Sequence, residues 1–87
     1  MEARALVAWN LRRLRVARGL SQEALAFDAR IDRSYVGRVE RGRENPTIIV
    51  LEQLAASLGA HIHELFVEPA AGEKPPKPLS GGRRRKS

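Results

Sequence analysis

The chain has 87 residues, no cysteine and a formal net charge of +6. That length accommodates one small domain and a tail but no deep substrate cleft, so an enzyme is not expected, and without cysteine no disulfide or thiolate metal site can hold the fold. The opening MEARALVAWNLRRLR interrupts every apolar run with acid or base, which excludes a signal peptide or membrane span there and points to a soluble cytoplasmic protein.

The first predicted helix runs from Ala5 to Arg18, with Val7, Leu11 and Leu14 at helical spacing and Gly19 placed to cap its end. A second opens at Ser21, whose hydroxyl can accept from free backbone N–H groups; Ala24 cannot complete a capping box, so burial of Leu25 and Ala26 must add support. Only Ala29-Arg30-Ile31 separates it from a third helix begun by Asp32. So short a turn keeps the two helices together, and Leu25, Ala26, Ile31, Val36 and Val39 must share one core. The outer face of the third helix is left with Arg33, Ser34, Gly37, Arg38 and Arg41. Two short helices, a tight turn and an outward arginine face make a DNA-reading unit, because guanidinium groups can pair with guanine edges in the major groove or reach phosphates.

Gly42 closes the third helix, and Pro46 forbids its continuation through Arg43-Glu44-Asn45. Thr47 can cap a fourth helix with an apolar face of Ile48, Leu51, Leu54, Ala55 and Leu58, stopped by Gly59. A short fifth helix, about His61 to Phe66, adds Ile62, Leu65 and Phe66 to close the bottom of the core. No strand-like alternation and no internal repeat occurs. Residues 1–67 therefore read as one all-α, compact five-helix domain. Residues 68–87, rich in Pro, Gly and Lys with Leu79 their only large apolar residue, read as a flexible, disordered basic tail.

Charge follows the same division. Residues 1–43 carry ten arginines against five acids, residues 44–66 hold Glu44, Glu52 and Glu64 with no Lys or Arg, and the remainder is again basic. The positive half coincides with the helix pair, as expected if one side meets a polyanion.

The landmarks NLRRLR at Asn10 to Arg15, GLSQEALA at Gly19 to Ala26, RVERG at Arg38 to Gly42, NPT at Asn45 to Thr47 and LAASLG at Leu54 to Gly59 resemble the helix-turn-helix family of phage Cro and repressor proteins. The same family is called the xenobiotic-response-element (XRE) family of bacterial regulators. The resemblance covers about Val7 to Phe66 and implies a lambda-repressor-like fold and transcription regulation through operator binding. By that resemblance Gln22 bonds a DNA phosphate and braces the recognition helix. Arg33, Ser34, Gly37 and Arg38 face base edges, and Arg41, Arg43 and Asn45 contact the backbone beyond. Arg15 and Glu40 correspond to the family's internal ion pair.

Three positions depart from the pattern. Arg30 replaces the usual turn glycine, where positive φ costs roughly 1 kcal/mol, so a slightly different turn is expected. Gly37 lowers helix propensity by about 1 kcal/mol but lets the backbone approach DNA. His61 replaces the usual small cap of the fifth helix.

Two readings stand for Tyr35: a ring packed on the core or a hydroxyl offered to phosphate. Trp9 and Val16 lie off the main face of the first helix, forming an apolar stripe covered by a partner or by the chain ends. Neighbours two apart on a helix point to nearly opposite sides, so His61 and His63 do not suggest a metal site. No nucleophile–base grouping, cofactor site or small-molecule site is evident. Arg83 to Lys86 form either a solvated end or an arm making phosphate contacts. The expected partner is double-stranded operator DNA, read in the major groove by a homodimer whose acidic segment, residues 44–66, forms the dimer surface. The alternative is a protein-interaction module of the same fold, docking a toxin or polymerase subunit.

Overall fold

The structure is a computed structural model in which residues 1–76 are described. Four α-helices, α1 (Ala3–Ala17), α2 (Gln22–Ala29), α3 (Arg33–Glu40) and α4 (Ile48–Ser57), are followed by a 3₁₀ helix at Ile62–Phe66. The fifth helix expected from sequence is thus a 3₁₀ segment, and no strand occurs among the described residues.

Helix ends follow local chemistry. Ser21 Oγ accepts from the Ala24 N–H at 3.0 Å, Asp32 Oδ2 from Ser34 N–H at 3.1 Å, and Thr47 Oγ1 from Val50 N–H at 3.1 Å. Each bond satisfies a backbone donor that the first turn leaves free. The α2–α3 turn keeps the left-handed geometry usually supplied by glycine: Arg30 itself adopts φ 61° and ψ 44°, and the Ile31 N–H reaches the Ala26 carbonyl at 2.9 Å. The expected change of turn does not occur, because burial of Ala29 and packing of Ile31 hold both neighbours in place and Arg30 projects into solvent.

Leu11, Leu25, Leu54, Leu58 and Leu65 are wholly buried, together with Val36 and Val39. Each large side chain contributes on the order of 1.5–3 kcal/mol, and the cluster draws on all five elements. Ile31 and Tyr35 pack at its margin. Asn10, 1% exposed, donates from Nδ2 to the Leu65 and Val67 carbonyls at 3.2 and 2.8 Å. This buried amide binds the far end of the domain to α1, a role its place in NLRRLR did not reveal.

Two core assignments are corrected. Ile48 is 70% exposed and Phe66 42% exposed. Ile48 occupies the first turn of α4, before the turns that carry Leu51, Leu54 and Leu58 inward. In the 3₁₀ segment the tighter winding turns Leu65 rather than Phe66 into the core. Trp9 and Val16 are half-buried. Trp9 lines an open hollow together with Met1, Glu2, Pro75 and Pro76, so the chain on either side of the domain flanks it. Residues 68–76 include a turn in which the Glu73 carboxylate accepts from the Ala70 N–H at 2.8 Å. Arg83 to Lys86 lie outside the described residues.

Candidate nucleic-acid interface

The N-terminal end of α2 and the outer face of α3 enclose a shallow depression of about 330 Å³, lined by Gln22, Arg33, Ser34, Gly37, Arg38 and Arg41. Six of the nine residues singled out from sequence therefore meet in one place. The α3 residues gather because positions 33, 34, 37, 38 and 41 share one side of a helix whose other side buries Val36 and Val39. Gln22 joins them only through the packing of α2 on α3. Tyr35, Arg43 and Asn45 do not line the depression.

Behind it lies a buried ion pair. Arg15 Nε and Nη2 donate to the two Glu40 oxygens at 2.6 and 2.9 Å, with side-chain exposures of 9% and 3%. Arg15 Nη1 also donates to the Leu20 carbonyl at 2.8 Å, and Gln22 Nε2 donates to Glu40 Oε1 at 3.1 Å. The pair joins α1 to α3, as the resemblance implied, and it also fixes Gln22. One amide hydrogen of Gln22 is thereby used internally, leaving the second for a ligand.

Gly37 is buried beneath side chains in the free protein: a Cβ there would lie 3.4 Å from Arg41 Nη1 and 3.5 Å from Gln22 Oε1. Ser34 donates its hydroxyl to Asp32, whose carboxylate is held below its ordinary range first by that bond and then by backbone donors. Tyr35 is half-buried with its ring against the core, and burial raises its hydroxyl pKa. The Arg38 guanidinium lies over that ring, 5.6 Å from its centroid. Its Nε donates to Glu44 Oε2 at 2.6 Å. In the sequence Glu44 reads only as part of the acidic segment. The contact crosses the left-handed turn at Gly42, φ 70°, so helical spacing could not signal it. Arg33, Arg41, Arg43 and Asn45 are exposed.

The histidine geometry differs from the sequence reading. His61 precedes the 3₁₀ segment in extended backbone, and its ring stacks on His63 with centroids 5.6 Å apart. The Glu64 carboxylate accepts from the His61 N–H at 2.9 Å, which lowers its pKa. Among the described residues no group of three potential ligands surrounds a metal position.

A helix-turn-helix family model matches residues 11–65. The chain is 43% identical over 68 residues to a hypothetical transcription factor of Neisseria meningitidis serogroup B, covering 78% of this chain and 64% of that protein. Among solved structures, the restriction-modification controller protein C.AhdI from Aeromonas hydrophila is 48% identical with a TM-score of 0.71, covering 72% of this chain and 96% of that one. The controller protein C.Esp1396I, solved as a tetramer in complex with its natural 35 base-pair operator, is 29% identical with a TM-score of 0.70, covering 76% and 87%. With its caps, its buried Arg15–Glu40 pair and more than half of its length matched, the chain belongs to the helix-turn-helix family, as its resemblance to Cro, repressor and XRE proteins implied.

Proposed function

We propose that this protein is a sequence-specific transcriptional regulator that places α3 in the major groove of double-stranded operator DNA. The observation that carries the reading is the convergence of Arg33, Ser34, Arg38 and Arg41 with Gln22 on one depression at the α2–α3 junction. Arg33 and Arg38 supply paired donors for base edges, with Ser34 and the Gly37 backbone close to them. Gln22, Arg41, Arg43 and Asn45 contact phosphates and set the register. Tyr35 enters through its ring, on which Arg38 rests. That a relative of this fold has been solved in complex with its operator supports DNA as the partner. The role is binding, not catalysis, in the cytoplasm; among the described residues no helix is long and apolar enough to cross a membrane.

Residues 1–67 form the reading domain, and residues 68–87 add basic charge. One short recognition helix reads few base pairs, so useful specificity calls for a homodimer on two half-sites about one helical turn, ~34 Å, apart. The acidic segment 44–66 serves as its interface. Ile48 and Ile49, 70% and 63% exposed, give that surface apolar area for a second copy to cover.

The test is selection of bound sequences from a random DNA pool, with titration on mixed genomic DNA at two salt concentrations. A two-fold symmetric consensus and a steep salt slope are the expected results. Absence of both saturable retention and a salt slope would instead mark a protein-docking module.

A further inference from the structure

We infer that Glu44 is a positioning residue that sets the sequence specificity of Arg38, an inference that rests on the DNA-reading role of α3. Arg38 is constrained from three directions. Glu44 Oε2 takes its Nε–H at 2.6 Å, the Tyr35 ring lies under its Cζ at 5.6 Å, and Ser34 Oγ stands 3.5 Å from Nη1. A guanidinium carries five N–H donors in a rigid fork, and engagement of Nε leaves the edge formed by the two terminal nitrogens available for the paired acceptors of guanine. A free arginine samples many rotamers and orders only on binding. Here part of that ordering is already complete, which favours the one base geometry that suits the fixed fork.

The charge of Glu44 adds a second effect. It stands at the end of the recognition helix, beside residues proposed to meet a polyanion, where a carboxylate weakens binding to phosphate. If Arg38 swings away to a phosphate, Glu44 loses its partner while near phosphate charge. Sites lacking the correct base are therefore disfavoured as well as less favoured, and discrimination is gained at the expense of general affinity. The pair is partly exposed, at 41% and 27%, so its contribution to folding is small and its effect on readout can be measured separately.

The experiment compares full-length wild type with Arg38→Ala, Glu44→Gln and Glu44→Asp by selection from a random DNA pool and by titration on mixed-sequence DNA, with thermal melting as the folding control. Arg38→Ala is expected to abolish preference at one base position per half-site. Glu44→Gln is expected to lower preference at that same position by about tenfold and to raise mixed-sequence affinity about two- to fivefold. Glu44→Asp keeps the charge but withdraws it by one methylene, so it loosens the preference without the gain in general affinity. If Arg38→Ala changes a position that Glu44→Gln and Glu44→Asp leave untouched, the positioning role is overturned while base reading stands. If Arg38→Ala changes no position, base reading by Arg38 fails and the role of Glu44 fails with it.

Discussion

Gln22 donates to the same Glu40 carboxylate that holds Arg15, at 3.1 Å, so a side chain lining the candidate interface is anchored by an ion pair in the interior. Fold stability and interface geometry therefore share one buried group. Glu40→Gln leaves the Arg15 guanidinium uncompensated at 9% exposure and is expected to destabilise the domain by about 3 kcal/mol or more. Gln22→Ala removes one neutral-to-charged bond and is expected to cost less, about 1.5 kcal/mol, yet to weaken binding to all DNA sequences alike. Urea melts of both variants, with DNA titrations of the second, check these outcomes. A Glu40→Gln variant that melts like wild type would show that the pair is not a fold determinant.

Arg33→Ala and Arg38→Ala are expected to weaken operator binding by about 1–3 kcal/mol each with little change in melting temperature. Both side chains project from α3 away from Val36 and Val39, and the Arg38–Glu44 pair is too exposed to stabilise the fold strongly. Titrations against the selected operator and a scrambled control separate base reading from phosphate contact, since equal loss on both DNAs assigns the residue to phosphate.

At Gly37 the added methyl group of alanine finds ordinary contacts at 3.4 and 3.5 Å rather than a clash. Gly37→Ala should therefore stabilise the free protein by about 0.5–1 kcal/mol through helix propensity. The same methyl group blocks close approach of the α3 backbone to DNA, and operator affinity should fall. Higher melting temperature with unchanged affinity would show that backbone approach at this position is unnecessary.

Arg30 holds a left-handed conformation, φ 61°, with its side chain exposed. Replacement by glycine removes steric strain of roughly 1 kcal/mol and adds chain entropy to the unfolded state that offsets part of it, for a net gain of up to about 0.5 kcal/mol. Thermal melting of Arg30→Gly tests this. A loss of stability would mean that the arginine side chain stabilises the turn by a contact the fold does not display.

Asp32 supplies the pH dependence nearest the interface. Bonds from Ser34 hold its carboxyl below the ordinary value, so the folded state favours the charged form. The associated stability is present above the unfolded pKa of about 3.9 and is lost as pH falls through the lower folded value. Asp32→Asn retains an N-cap acceptor without the titration, and its stability should decline less as pH falls below the unfolded value of about 3.9. Equal decline in both proteins would assign acid sensitivity to other carboxylates.

Short-range chemistry made much of this protein legible from sequence. Ser21, Asp32 and Thr47 cap helices through bonds that span two or three residues, and the periodicity of Val7, Leu11 and Leu14 or of Val36 and Val39 places them inward in any packing of these helices. The same periodicity turns Arg33, Ser34, Arg38 and Arg41 outward, and the Arg15–Glu40 pair was identifiable through family resemblance. Tertiary structure alone decided the rest. Asn10 reaches carbonyls 55 and 57 residues away, Gln22 meets Glu40 across 18 positions, and Glu44 returns to Arg38 after the left-handed turn at Gly42. Ile48 shares the apolar character of Leu51 but not its burial, and the extended backbone at His61 brings two histidine rings together against helical expectation. Local spacing specifies which face a residue occupies within its element. Which neighbour meets that face depends on how separate elements pack, because close packing brings together groups that no sequence interval relates.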